Sequence, residues 1–227
     1  MLGLAFSGGK DSLACWYLYR DKNPIVFWVN AGKAYPETKQ IIEKIRAEAK
    51  EFIEIKTDQE SQNKECGYPS DVVPSDWTDY GFKITGEKPY KLQHYLECCW
   101  FNKGLPLHKA VKERGITMLI RGQRNDETHK STASSGTIFD GVTYIQPIEN
   151  WTKKQVLSFL STQTDLPEHF KIDHSSLDCY DCTAFWSHTK DRIQYTKEHH
   201  PEFYKEYRIR LELVKSALKQ SLEHLPE

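Results

Sequence analysis

Residues 7–12 read Ser7-Gly8-Gly9-Lys10-Asp11-Ser12, between the apolar run 2–6 and the apolar-periodic stretch 13–19. These residue types suit an anion. Gly8 and Gly9 allow close backbone approach and positive φ, so several N–H groups can converge on one oxyanion. A helix starting here adds its unpaired N-terminal donors and the positive end of its dipole. Lys10 brings a mobile point charge, Ser7 and Ser12 bring hydroxyls, and Asp11 is a candidate to hold Mg²⁺ directly or through water. Pyrophosphate fits such a turn. The spacing is not Gly-x-x-x-x-Gly-Lys-Ser/Thr, so a nucleoside triphosphatase P-loop is excluded.

A second set of residues suits a metal. Cys98 and Cys99 are adjacent, and Cys179-Tyr180-Asp181-Cys182 is a Cys-x-x-Cys pair. Four thiolates from two segments can close a tetrahedral zinc site or hold an iron–sulfur cluster. One turn brings both sulfurs of Cys-x-x-Cys to one side, whereas neighbouring cysteine side chains diverge. Separate corners of a cluster accommodate that divergence better than one zinc ion does. Cys15 and Cys66 read as an ordinary helix thiol and an ordinary loop thiol. A third group, Gly122, Arg124, Asp126 and Glu127, follows the apolar run 118–120. Arg124 suits a phosphate there, and Asp126 or Glu127 a ribose, a metal or a basic partner. Lys190 and Arg192 are placed to cover the anion from the C-terminal side, and His199-His200 read as surface.

The elements that must position these groups alternate. Residues 25–29, 52–55, 118–120 and 143–145 read as strands, and 36–50, with Pro36 at its start and Ile41, Ile42 and Ile45 on one face, as a helix. The stretch 92–114 reads as two helical pieces parted near Gly104 and Pro106. Thr152 is a candidate N-cap for a helix reaching 160. Such alternation predicts an α/β fold with a parallel sheet. Residues 58–91, punctuated by Gly and Pro with Trp77, Tyr80 and Phe82 between, break the pattern and read as a loop serving as a substrate lid. A tail helix over 202–225 carries Tyr207, Leu211, Val214, Leu218 and Leu225 on one stripe, to pack on its own domain or pair with a second copy as a homodimer. The expected domains are 1–175, holding the nucleotide, and 176–227, holding the Cys-x-x-Cys segment and C-terminal helices.

Composition narrows the function classes. At 227 residues and net charge −1, the chain suits one α/β domain with a small appendage and has no global sign of nucleic-acid or membrane binding. No apolar run approaches the roughly 18 residues of a membrane span, and the first strand begins at the N-terminus, so a cytoplasmic, reducing setting is expected. Six cysteines in that setting favour metal binding or catalysis over disulfides.

The motif at residues 7–12 resembles the pyrophosphate loop of the adenine nucleotide α-hydrolase superfamily. That resemblance implies a Rossmann-like sheet with the nucleotide across the carboxyl ends of its strands, and cleavage of ATP between its α and β phosphates. The run from Asn30 to Pro36-Glu37-Thr38 resembles the segment after the second strand of phosphoadenosine phosphosulfate (PAPS) reductases. Cys98-Cys99 with Lys103, Gly122-Gln-Arg124-Asn-Asp126-Glu127, Pro147-Ile-Glu-Asn-Trp151-Thr152, and Cys179 with Cys182 follow the order of adenylylsulfate (APS) reductases. The resemblance implies that Cys98, Cys99, Cys179 and Cys182 ligate a [4Fe–4S] cluster and that Lys103 approaches a phosphosulfate. It also implies that Asn30, Gly122 and Arg124 join residues 7–12 around the nucleotide.

Two departures redirect the expectation. Residues 183–227 hold no cysteine, whereas those reductases carry a Glu-Cys-Gly-x-His segment whose thiolate attacks sulfur. The pyrophosphate loop is whole here, where the reductases usually carry a degraded one. Both point to ATP, cleaved to adenylate and pyrophosphate for adenylation or sulfur transfer, with Lys10, Asp11, Lys103 and Arg124 as catalytic residues. Two other readings stay open: a sulfite-forming APS or PAPS reductase that uses Cys66 or an external thiol, and a non-catalytic nucleotide-binding subunit. A sulfur donor or reductant protein is the expected partner, and nucleic acid stays open.

Overall fold

A computed structural model describes residues 1–86, 92–127, 133–171 and 177–223. The chain begins with β1 (Leu2–Ala5), α1 (Lys10–Tyr19), β2 (Ile25–Asn30), α2 (Pro36–Glu48) and β3 (Phe52–Lys56). It continues with α3 (Gln59–Cys66), β4 (Tyr68–Ser70), α4 (Asp79–Thr85), β5 (Leu92–His94), α5 (Tyr95–Cys99) and α6 (Leu105–Glu113). Then come β6 (Met118–Ile120), β7 (Ile138–Phe139), β8 (Val142–Ile145), α7 (Lys153–Ser161), α8 (Lys190–His199) and α9 (Pro201–Leu222). They fall into two compact units. The first comprises Met1–Asn30, Ala34–Lys56 and Leu105–Lys171, and the second Ala31–Lys33, Thr57–Gly104 and Ile172–Glu227. This division is discontinuous, unlike the linear boundary at 175 read from the sequence, because residues 57–104 pack with the C-terminal helices.

The first unit is a six-stranded sheet in the order β3-β2-β1-β6-β8-β7. All its pairs are parallel except β7 with β8. Its central strands are apolar on both faces, as a doubly covered parallel sheet requires. Leu4, Val26, Trp28 and Ile120 pack with Leu13, Ile42 and Ile45 of α1 and α2 and with Val156 and Leu160 of α7. Ile25, Phe27 and Leu119 point the other way, against Val111 of α6. Thr152 caps α7 in a capping box with Gln155, as its position predicts.

The second unit holds a short parallel pair, β4 with β5, among helices. Here the expected loop at 58–91 is corrected: α3, β4 and α4 lie inside it, and residues 87–91 are outside the described set. The helix α3 escaped apolar periodicity because its buried residues are the amides Gln59 and Asn63. Asp58 starts it by accepting from the Ser61 N–H at 2.9 Å. The first piece of 92–114 also differs, opening as β5 before α5, and a π-helical turn at Trp100–Gly104 marks the expected break. In α9 the buried face is Tyr207, Arg210, Val214 and Ala217. Val214 and Ala217 pack on Trp77 and Leu92, so the stripe has a partner within its own unit, while Ile209 and Leu213 are exposed. Leu225, read as part of that stripe, lies outside the described residues.

Candidate functional site

In the first unit, the turn after β1 is shaped by its own residues. Gly8 sits at φ +80°, and a Cβ there would meet Thr38 Cγ2 at 2.8 Å, so the turn needs glycine twice over. Ser12 Oγ donates to the Gly9 carbonyl at 2.9 Å and accepts from the Ser7 N–H at 3.2 Å, and Gly9 N–H donates to Ser7 Oγ at 3.3 Å. Gly9 is the N-cap of α1 and no side chain caps that end, which leaves the helix dipole and first-turn donors for an anion. Lys10 Nζ lies 3.1 Å from Asp11.

The segment after β6 reaches this turn. Arg124 Nε donates to Asp11 Oδ1 at 2.7 Å, and its NH1 donates to Asp126. Asp126 in turn accepts from the Lys153 N–H at 3.1 Å. Arg124 is buried, with acidic partners around it, so it orients Asp11. Glu127 is pushed above the ordinary carboxylate range, first by burial and then by the Asp11 charge, against the pull of Arg124 and Lys10. Gly122 serves backbone approach: a Cβ there would stand 2.7 Å from the Asp11 carbonyl carbon and 2.8 Å from the Ser12 nitrogen. Asn30 ends β2 and donates its amide to Glu54 at 2.7 Å. The structure thus joins Ser7, Gly8, Gly9, Lys10, Asp11, Ser12, Gly122 and Arg124 in one site and turns the Asn30 side chain toward β3. Cys15 packs in the core of α1.

The second unit gathers the thiols. Cys98 and Cys99 end α5, and Cys179 and Cys182 bound a turn. Burial pushes the Cys98 thiol up to about 12, with the charges of Cys99, Cys179 and Cys182 adding to it. Cys179 is likewise pushed up to about 12, chiefly by burial and against the pull of Lys103. Lys103 Nζ pairs with Asp178 at 3.2 Å. Burial opposes its charge, but Asp178, Cys179 and Cys99 outweigh that and hold the ammonium above its ordinary value. Gln59 reaches both Cys98 and Cys179, so sulfurs from the two segments share one amide.

Three supports of this cluster were not legible in the sequence. Gln59 Nε2 donates to Cys98 Sγ at 3.6 Å, and Cys179 Sγ donates to Gln59 Oε1 at 3.5 Å. Arg192 donates to the Cys179 carbonyl at 2.8 Å and to the Cys182 carbonyl at 2.9 Å. The guanidinium expected to face an anion therefore clamps the Cys-x-x-Cys turn. Asp181, inside that turn, lies 3.2 Å from Lys33 Nζ and 3.0 Å from Arg210 NH1. Glu60 and Glu206 join the same network. An i, i+4 pair of amides, Gln59 with Asn63, was the available signal for the first. For buried arginines on α8 and α9 the sequence holds none.

Comparisons with known proteins identify the family and the fold. The family model described as the phosphoadenosine phosphosulfate reductase domain matches residues 2–185. A curated adenosine 5'-phosphosulfate reductase of Salinibacter ruber is 33% identical over 91 residues, which are 38% of this chain and 35% of that protein. That match spans about a third of the relative's length. A crystal structure of phosphoadenylyl-sulfate reductase from Candida auris, in a phosphate complex, has a TM-score of 0.50 at 16% identity, over 75% of this chain and 76% of that one. Its likeness is one of fold. With a model match over residues 2–185, which include the glycine-rich turn and Cys98, Cys99, Cys179 and Cys182, this chain belongs to the phosphoadenosine phosphosulfate reductase domain family.

Proposed function

We propose that the protein is an adenine-nucleotide enzyme that holds the β and γ phosphates of ATP on residues 7–12 and cleaves the α–β link. The products are pyrophosphate and either AMP or an adenylated acceptor, in the service of adenylation or sulfur transfer. The observation that carries this reading is the complete turn: Gly8 at φ +80°, no side chain over the N-terminus of α1, and Lys10 beside it. An acceptor oxygen attacks the α-phosphorus, the bond to the bridging oxygen breaks, and pyrophosphate leaves with the electron pair. Lys10 and the backbone N–H groups neutralise the charge that builds on it. Arg124 holds Asp11 in place. Asp11 and Glu127 offer the carboxylates for Mg²⁺, which would supply charge neutralisation on the phosphates.

The donor set in the second unit is all sulfur, so Cys98, Cys99, Cys179 and Cys182 would hold an iron–sulfur cluster, with zinc as the alternative. Among the described residues, the side chains whose ligand atoms lie within 4.8 Å of one another are Glu60, Asp181 and Glu206. Lys33 and Arg210 already neutralise that acidic trio. Adjacent Cys98 and Cys99 side chains diverge, which favours separate corners of a cluster over a single ion. A cluster there would supply a place for sulfur to be delivered.

A second reading, sulfite formation from a sulfonucleotide, is favoured by the activity named for the Salinibacter relative. It needs a nucleophilic thiol. Cys66 lines a cavity of about 370 Å³ with Gln62, Trp77, His94, Glu97 and Phe101. Among the described residues the lining carries the carboxylates Asp71 and Glu97, whose charge repels a phosphosulfate. Anaerobic turnover with ATP·Mg²⁺, APS and PAPS side by side separates the readings. Pyrophosphate from ATP is expected, abolished in Lys10→Ala with the visible spectrum unchanged. Sulfite without pyrophosphate overturns the proposal, and so does turnover that survives Lys10→Ala.

A further inference from the structure

We infer that Gln59 and Asn102 are positioning residues that stabilise the metal-bound Cys98 sulfur by donating amide N–H groups to it. The inference rests on the reading of the four cysteines as ligands. Gln59, 3% exposed, sends its Nε2 to Cys98 Sγ at 3.6 Å and receives the Cys179 thiol on Oε1 at 3.5 Å. Asn102 Nδ2 points at the same Cys98 Sγ from 3.7 Å, anchored by the Cys98 carbonyl at 2.9 Å and Gln62 Oε1 at 3.1 Å. Behind them stands a further amide layer. Asn63 Oδ1 accepts from the Cys98 thiol at 3.6 Å and from Gln93 Nε2 at 3.1 Å.

Burying so many carboxamides is costly unless each has a partner that requires it. An apolar core would satisfy packing without that cost, and sulfur in a neutral thiol is a weak partner. A metal-bound sulfur changes the balance. It carries negative charge and has lost its proton, so it is an acceptor only, and N–H donors become charge-assisted bonds. Outer donors of this kind tune a cluster's potential and a metal's affinity. The pattern is asymmetric. Cys98 faces two N–H donors, Gln59 Nε2 and Asn102 Nδ2, beside the one carbonyl of Asn63, whereas Cys179 meets only the carbonyl end of Gln59 among these amides. On metal binding, Cys179 therefore needs a different neighbour.

The test uses the full chain, anaerobically purified, with Gln59→Met and Gln59→Glu. The glutamate keeps size and reach but replaces a donor with an acceptor. The cluster's midpoint potential, followed optically, is expected to fall in the order wild type, Met, Glu, with Asn102→Leu also below wild type. Iron retained under a fixed chelator challenge should follow the same order, and thermal midpoints monitor folding. Equal effects of Met and Glu, or unchanged potential and retention, overturn the inference, because a space-filling role predicts them. Should a variant fail to hold iron on purification, its ranking is read from reconstituted metal retention at matched fold content. Zinc in place of iron in the wild type refutes the iron–sulfur reading alone, and the same ordering of zinc loss then decides the inference. A wild type that takes up neither metal overturns both.

Discussion

Gly122 shows how a single missing side chain sets the geometry of the turn that begins α1. A methyl there would press on the backbone of Asp11 and Ser12, at 2.7 Å and 2.8 Å, and backbone cannot swing aside as a long side chain can. Gly122→Ala is expected to cost about 1–3 kcal/mol by urea denaturation, and to weaken ATP binding by displacing the start of α1. Unchanged stability and affinity would show that the turn yields freely. His169 makes a different residue-scale point. Burial beside Phe170 holds its imidazole below the ordinary 6.5, with Glu37 opposing. The folded state binds the proton more weakly than the unfolded chain, so the associated stability is full above about pH 6.5 and is lost as pH falls through the lower folded value. Thermal melts between pH 7.5 and 5 should show this loss, and His169→Gln should flatten it.

At the scale of elements, α8 and α3 act as braces for the thiols. Arg192 on α8 is buried and gives two hydrogen bonds to carbonyls of the Cys-x-x-Cys turn. Charged donors to buried carbonyls are worth about 1.5–3 kcal/mol each before relaxation. Arg192→Ala is expected to destabilise by about 2–3 kcal/mol and to lower metal content per chain, whereas Arg192→Lys, which cannot span both carbonyls, should recover only part. Metal content equal to wild type in both variants would remove the brace from the argument. The same elements mark where sequence reading succeeded and failed. Strands β1, β2, β3, β6 and β8 and helix α2 were legible because apolar side chains recur with their period, whereas the short β4, β5 and β7 were not. Residues 58–91 were misread as loop because α3 buries amides, which carry no hydropathy signal. The tail helix was legible, but its buried face includes Arg210, which a hydrophobic stripe passes over.

At the scale of the whole molecule, the chain divides its chemistry between two compact units. The first owns the glycine-rich turn at residues 7–12 and the second the four thiols Cys98, Cys99, Cys179 and Cys182. Within the second, Asp181, Lys33, Arg210, Glu60 and Glu206 tie the cysteine turn to α3 and α9. Removing one member of a buried ion network leaves charges without compensation. Asp181→Asn is expected to cost about 3 kcal/mol, the low end for a broken buried pair, because Glu60 and Glu206 still face the cations. Hydrogen exchange should quicken in α3 and α9 while β1 and β2 stay protected, and uniform exchange across both units would contradict this. Among the described residues no helix is long and apolar enough to cross a membrane.

The sequence by itself determined the family, the α/β alternation, the glycine-rich turn between β1 and α1 and the two cysteine pairs. Each is written in residues adjacent in the chain or repeated at a helix or strand period, so local chemistry is enough to read them. Tertiary structure alone decided that Arg124 orients Asp11, that Arg192 clamps a turn, and that amides of α3 face Cys98. A buried polar side chain takes its role from the partner that satisfies it, and these partners lie far away along the chain.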